Sequence, residues 1–350
     1  MKTVAAGYGG RGRSSGGDAG ARISEEAEGA STNIRRAVIL ALGALLFPVL
    51  TACGGQGGDS GDGTVNVVTT YSILEDLVEN VGGENVGLTT LVGPNGDAHT
   101  FEPAPSDNAE LAEADVVFEN GLEFEPWFDD LYESSGSDAE RVAVTDDVET
   151  RPIAEEGHGA EEEHSDEHAG EEHGESDPHV WHDVNNAVIM VEEIRAALSE
   201  ADPDNAQAYE RNADEYVSEL EALDADVQEQ VDAIPEENRT LFTSHDTFGY
   251  FAGRYGFEVD TALASVSTEA GDPSAGETAE LVEEIEESGV PAIFGENVSN
   301  SGVMEGIASE TGVELAPALY TDALGDPGSE GGTYIRMVRY NVSTMSEALQ

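Results

Sequence analysis

Four residues of this chain could pool their chemistry. His99 lies in Gly93-Pro94-Asn95-Gly96-Asp97-Ala98-His99-Thr100-Phe101-Glu102-Pro103, a turn-rich segment directly after a strand-like run. His179 lies in Asp177-Pro178-His179-Val180-Trp181, and His245 ends the run Thr240 to His245. Asp322 follows Leu319-Tyr320-Thr321, ahead of Gly325-Asp326-Pro327-Gly328. Each is read as sitting where a strand gives way to a loop, which is where open α/β sheets bind ligands. Three neutral imidazoles and one carboxylate drawn into one cleft make a site suited to Zn²⁺, which takes His nitrogen and Asp oxygen in a tetrahedral shell. A lone His after a turn is more often a surface or capping residue, so the set of four carries the reading.

The elements that must position them alternate between β-rich runs and amphipathic stretches, the pattern of parallel-sheet α/β units. In the first half, strands are expected at 65–70, 86–92, 115–120 and 141–144, with helices at 72–81, 106–113 and 125–134. The second half repeats the scheme, with strands at 240–245, 259–263, 292–297 and 314–319. Its helices are expected near 247–255, 275–288, 302–311 and 333–349. Between the halves, residues 204–233 carry no Pro or Gly. Tyr209, Ala213, Tyr216, Leu220, Leu223, Val227 and Val231 recur there at helical spacing, which predicts one long helix. The fold expected is therefore α/β with two lobes, each a parallel four-stranded sheet flanked by helices. One long backbone helix joins them, and the metal site lies in the cleft between them. The boundaries read as an N-terminal lobe over 64–202, the linking helix over 203–234 and a C-terminal lobe over 235–350. Lobes joined by one stiff helix should hinge less than lobes joined by several strands.

A low-complexity loop over 155–177 interrupts the first lobe. It carries His158, His164, His168 and His173 among 11 acidic residues and no basic one, a composition that cannot bury a core. These four His are candidates for accessory metal capture. His182, three residues past His179, is expected at a helix start beside the site. Asp97, Asp246 and Glu296 are candidates for orienting ligand imidazoles by accepting their second N–H.

Composition sets the outer limits. The 350 residues hold Lys+Arg 14 against Asp+Glu 74, a formal net charge of -60. Such a polyanion is repelled by nucleic-acid backbones, so no nucleic-acid partner is expected. The single Cys excludes a disulfide framework and any multi-thiolate metal site. That residue, Cys53, closes Leu50-Thr51-Ala52-Cys53 after the apolar run Ala37 to Leu50, too short to span a bilayer and of signal-peptide length. The string resembles a lipobox, in which the Cys is acylated and becomes the new N-terminus. Residues 1–52 then read as a lipoprotein signal peptide and 53–63 as a flexible tether. The mature chain is expected to be extracytoplasmic, anchored through acylated Cys53 to the outer face of the cytoplasmic membrane.

Taken together, the strings G-P-N-G-D-A-H-T-F-E-P, D-P-H-V-W, T-S-H-D-T-F-G-Y-F, L-Y-T-D-A-L-G and T-Y-I-R-M-V-R-Y-N resemble the metal-binding solute-binding lipoproteins of ABC importers for zinc, manganese or iron. The resemblance covers about residues 65–350. It implies that His99, His179, His245 and Asp322 bind the metal, that the protein is not an enzyme, and that a membrane permease with its cytoplasmic ATPase receives the cargo. A monomer is expected. Manganese-type members commonly carry Glu at the third ligand position, so His245 favours Zn²⁺ over Mn²⁺ or Fe²⁺. His182 departs from the family pattern, which usually has an apolar residue there. Two other readings compete: a zinc hydrolase, against which stand four filled ligand positions and the lack of an HExxH motif, and a metal-dependent surface adhesin on the same scaffold.

Overall fold

Valines on both sides of the first β-rich run make its sheet two-faced. In the computed structural model, which describes residues 64–152, 176–259 and 275–350, four parallel strands pair in the order β2-β1-β3-β4. They are β1 (Val65–Tyr71), β2 (Val86–Val92), β3 (Val116–Glu119) and β4 (Glu140–Ala143). Helix α1 (Ser72–Gly82) follows β1, α2 (Pro105–Glu113) precedes β3, and α3 (Phe128–Ser135) precedes β4. Pro105 opens α2, and Asp107 Oδ2 accepts the Ala104 N–H at 2.7 Å, satisfying a donor the helix leaves free. Val67, Tyr71, Val116 and Phe118 join a core with α1, whereas Val68 and Val117 pack against Leu111 of α2 and Phe128 and Leu131 of α3. This is the period-2 alternation of a sheet covered on both faces.

Two helices then run back to back. Helix α4 (Val184–Ala201) is capped by Asp183, whose Oδ1 accepts the Asn185 N–H at 2.9 Å. The sequence suggested only a helix start near His182 and no extent for it, although Ala187, Val191, Ile194 and Leu198 show the spacing of a buried face. Helix α5 (Ala206–Asp232) is the long linking helix, and all seven apolar residues that predicted it are buried.

The second lobe begins with β5 (Thr240–Leu241), shorter than the expected 240–245. After Phe242 the backbone bonds to side chains instead of to a neighbouring strand: Thr243 Oγ1 donates to His245 O, and His245 N–H donates to Glu296 Oε1. There follow α6 (Gly249–Tyr255), β6 (Glu258–Val259), α7 (Ala275–Ser288), β7 (Ala292–Glu296), α8 (Gly302–Thr311), β8 (Glu314–Leu319) and α9 (Tyr334–Leu349). The four strands form two parallel ladders, β5-β6 and β7-β8, joined by a hydrogen bond from Phe294 N–H to Phe242 O, with a bulge between Phe294 and Glu296. Phe242 and Ile293 pack on α7 and α8 through Leu281, Ile285, Met304 and Ile307. Leu241, Ala292 and Phe294 belong instead to the main core, which continues through α5 and α9 into the first lobe.

Among the described residues no helix is long and apolar enough to cross a membrane. The signal segment, Cys53, the tether, the loop residues His158, His164, His168 and His173, and most of the expected strand 259–263 lie outside the described residues.

Candidate metal centre

His99, His179, His245 and Asp322 converge, each offering one donor atom, with all four atoms within 4.8 Å of one another. His99 Nε2 is 3.3 Å from His179 Nε2 and 3.6 Å from Asp322 Oδ2. Asp322 Oδ2 is 3.1 Å from His245 Nε2, and Oδ1 is 3.7 Å from His179 Nε2. His179, His245 and Asp322 are buried, and His99 is the partly open member.

Each ligand candidate is held by its own loop, and the loops brace one another. The turn after β2 places Asn95 at φ 58°, and its N–H donates to Leu324 O of the loop bearing Asp322 at 2.8 Å. Trp127 Nε1 donates to Ala98 O at 2.6 Å, and the Phe124 ring lies edge-on to His99 at 4.6 Å. His179 leaves a short bridge between Pro152 and Ser176 and enters a 3₁₀ turn, Val180–His182, ahead of α4, not the end of a strand as expected. Asn120 Nδ2 donates to Pro178 O, and buried Trp181 donates from Nε1 to Thr321 O at 3.0 Å. Asn341 of α9 pins the Asp322 loop by exchanging two hydrogen bonds with the Tyr320 backbone.

Carboxylates behind the imidazoles orient two of the three. His179 Nδ1 lies 2.8 Å from Asp177 Oδ1, and His245 Nδ1 lies 2.5 Å from Glu296 Oε2, which also accepts from Thr321 Oγ1. Glu296 was foreseen and Asp177 was missed, although it stands two residues before the His in Asp-Pro-His. Asp97, expected to hold the His99 ring, accepts the His99 N–H and the Thr100 hydroxyl instead. Asp246 does not reach a ligand imidazole in hydrogen-bonding geometry, and its Oδ1 is buried without a hydrogen-bond partner. His182 is buried in the 3₁₀ turn ahead of α4: its Nε2 is 3.2 Å from Thr247 Oγ1, and it stands outside the four-residue cluster.

Charge in this pocket is uneven. Burial, only partly offset by Asp322, lowers His99 to about 4, and burial with His179 lowers His182 to about 3, so both rings are neutral near pH 7. Burial also opposes protonation of His245, but Glu296 and Asp322 outweigh it and raise its pKa well above the ordinary value. Asp322 is pushed up by burial, yet His245, His179 and His99 hold it well below the usual carboxylate range. Like His245 Nδ1, which lacks one despite its close ion pair with Glu296, His245 Nε2 and Asp322 Oδ2 are both buried with no partner in hydrogen-bond geometry. Buried polar atoms are ordinarily satisfied, so this pair is poised for a shared partner that replaces the His proton.

Residues 67–348 match the zinc-uptake complex component A periplasmic family. The chain is 36% identical over 303 residues to the manganese-binding lipoprotein MntA of Halalkalibacterium halodurans, covering 86% of this chain and 94% of that protein. It is 31% identical over 281 residues to the iron-binding protein YfeA of Yersinia pestis, covering 80% and 85%. Its fold superposes on the periplasmic zinc binding protein TroA of Treponema pallidum with a TM-score of 0.71 at 30% identity, covering 82% of this chain and 99% of that one. With its family match, two-lobed parallel α/β fold and converging imidazole and carboxylate donors, the chain belongs to this family of substrate-binding proteins of metal ABC transporters.

Proposed function

We propose that the protein captures Zn²⁺ outside the cytoplasmic membrane through His99, His179, His245 and Asp322, and delivers it to a membrane permease driven by a cytoplasmic ATPase. Acylated Cys53 would tether it to the membrane. The observation that carries the metal assignment is the donor set, three imidazole nitrogens and one carboxylate oxygen converging in one buried cluster. A tetrahedron with bonds of about 2.0–2.1 Å has edges of about 3.3–3.4 Å. The His99–His179, His99–Asp322 Oδ2 and His245–Asp322 Oδ2 separations, from 3.1 to 3.6 Å, bracket that value, and all four donors lie within 4.8 Å of one another. Manganese favours oxygen donors and imidazole suits zinc, so His245 at the third position supports Zn²⁺. The relatives are named for manganese, iron and zinc in turn and do not choose among them. His158, His164, His168 and His173 would collect metal near the cleft, and excising 155–175 should leave one tight site.

Elemental analysis of the purified protein, followed by competitive titration with Zn²⁺ and Mn²⁺, tests the assignment. One zinc per chain, held more tightly than manganese, is expected. Preferential binding of Mn²⁺ or Fe²⁺ would overturn the zinc reading, and undiminished binding after Asp322→Ala would overturn the site.

A further inference from the structure

Asp322 has two oxygens, and the fold treats them differently. Oδ2 is buried without a hydrogen-bond partner and faces His245 Nε2 at 3.1 Å and His99 Nε2 at 3.6 Å. Oδ1 lies farther from the imidazoles, 3.7 Å from His179 Nε2, and accepts from Thr247 Oγ1 at 3.3 Å. Thr247 is fully buried in the loop before α6, and its Oγ1 also lies 3.2 Å from His182 Nε2. A hydroxyl has one proton, and an ionised carboxylate is a stronger acceptor than an imidazole. That proton is therefore committed to Asp322, and His182 must donate its Nε2–H to Thr247. The His182 ring is in turn held by packing against Phe248, 4.4 Å between centroids, and Trp181, 5.7 Å.

Resting on the zinc-site reading above, we infer that His182 and Thr247 set metal preference by tethering Asp322 Oδ1, so that Asp322 binds the metal through Oδ2 alone. A carboxylate that offers one oxygen completes a four-coordinate shell with three imidazoles, the number zinc prefers. One that offers both raises the coordination number and the oxygen count, which suits Mn²⁺. This accounts for a buried His beside the site that is not itself a ligand. Both contacts are long for hydroxyl hydrogen bonds, so the tether biases the carboxylate and does not lock it.

The test compares full-length wild type with Thr247→Val, His182→Leu and His182→Gln. It reads the ratio of Mn²⁺ to Zn²⁺ dissociation constants by competition and the visible spectrum of the Co²⁺-loaded protein. Loss of one hydrogen bond to a charged group predicts that the ratio falls about tenfold in Thr247→Val, and it should fall in the same direction but less in His182→Leu, where Thr247 keeps its bond to Asp322 and loses the donor that orients it. The Co²⁺ spectrum should move from four-coordinate toward five-coordinate form in both. His182→Gln, which keeps a donor, should restore the wild-type ratio and spectrum. An unchanged ratio would overturn the inference. So would equal weakening of both metals with an unchanged Co²⁺ spectrum, the mark of a merely structural role. If Thr247→Val does not fold, the His182→Leu and His182→Gln pair decides alone. A wild type that binds no metal, or an Asp322→Ala variant that binds normally, would instead remove the metal centre itself and the tether with it.

Discussion

Replacing Glu296 by Gln isolates the orienting role of one carboxylate. Oε1 accepts the His245 backbone N–H at 2.9 Å, and Gln keeps that acceptor in its amide oxygen. The other oxygen, Oε2, faces His245 Nδ1 at 2.5 Å and accepts from Thr321 Oγ1 at 3.1 Å. An amide NH₂ in its place donates where an acceptor is needed, so the imidazole is driven to the tautomer with its proton on Nε2, the atom that faces Asp322. Metal binding must then work against that tautomer. Loss of such an orienting partner costs about 10–100-fold in metal affinity, or about 1.4–2.7 kcal/mol. Asp177→Asn should show a loss of similar size through His179 Nδ1, since the contact there is 2.8 Å. Asp97→Asn is the control: its carboxylate bonds the His99 backbone and Thr100, so affinity should stay within about threefold. Competition against a chromophoric chelator at fixed pH measures all three. A Glu296→Gln affinity within about twofold of wild type, or an Asp97→Asn loss as large as the other two, would refute the reasoning.

Three further outcomes are expected. Asp76 is buried between α1, α5 and α9, accepting from Tyr216 Oη and Tyr334 N–H, and burial raises its pKa from 3.8 to about 6. Its folded pKa is raised, so stability is full below about pH 4 and is lost as pH rises through about 6. Asp76→Asn should therefore gain up to about 3 kcal/mol over wild type above pH 7 and nothing at low pH, read from urea midpoints of metal-free protein. A Cβ at Gly249 would collide with the Arg151 guanidinium and stand 2.8 Å from Asp177 Oδ2, so Gly249→Ala should cost about 1–3 kcal/mol. Arg151→Ala in the same chain should recover most of that loss, and a double-mutant cycle without coupling would contradict it. With a net charge of -60, metal-free protein should show a higher urea midpoint in about 1 M NaCl than in about 0.05 M, because screening shortens the reach of self-repulsion. An apo midpoint indifferent to salt would mean that this repulsion is minor.

Much of this protein is written in residue type and spacing. The seven apolar residues over 209–231 define a helix by periodicity alone, and all are buried. The runs at 65–70 and 86–92 pair as parallel strands because β-branched residues on both faces suit a covered sheet. The convergence of His99, His179, His245 and Asp322 was legible as a set of four, although His179 stands before a 3₁₀ turn and not beyond a strand. Less legible was α4, where the polar Asn185 and Asn186 obscure an apolar face that starts just beyond the Asp183 cap. Likewise β5 stops at Leu241 because side chains of the following polar run compete for the backbone, which strand propensity does not count.

What tertiary structure alone decided is which groups touch. Asp97 and Asp177 both stand two residues before a His, and both accept that residue's backbone N–H. Only Asp177 also reaches its imidazole, at 2.8 Å. The local strings, Asp-Ala-His and Asp-Pro-His, give no reason to prefer one. The His99 ring instead packs edge-on to Phe124 and turns Nε2 toward His179, a rotamer set by distant chain. In the same way His182 reads as a helix-start residue until Phe248 and Thr247 close over it from the other lobe. Sequence fixes donors and the period of the elements that carry them. Rotamer, burial and second hydrogen-bond partner depend on which segments the fold brings together, as where His182 meets Thr247 65 residues away and Thr247 meets Asp322 75 residues away.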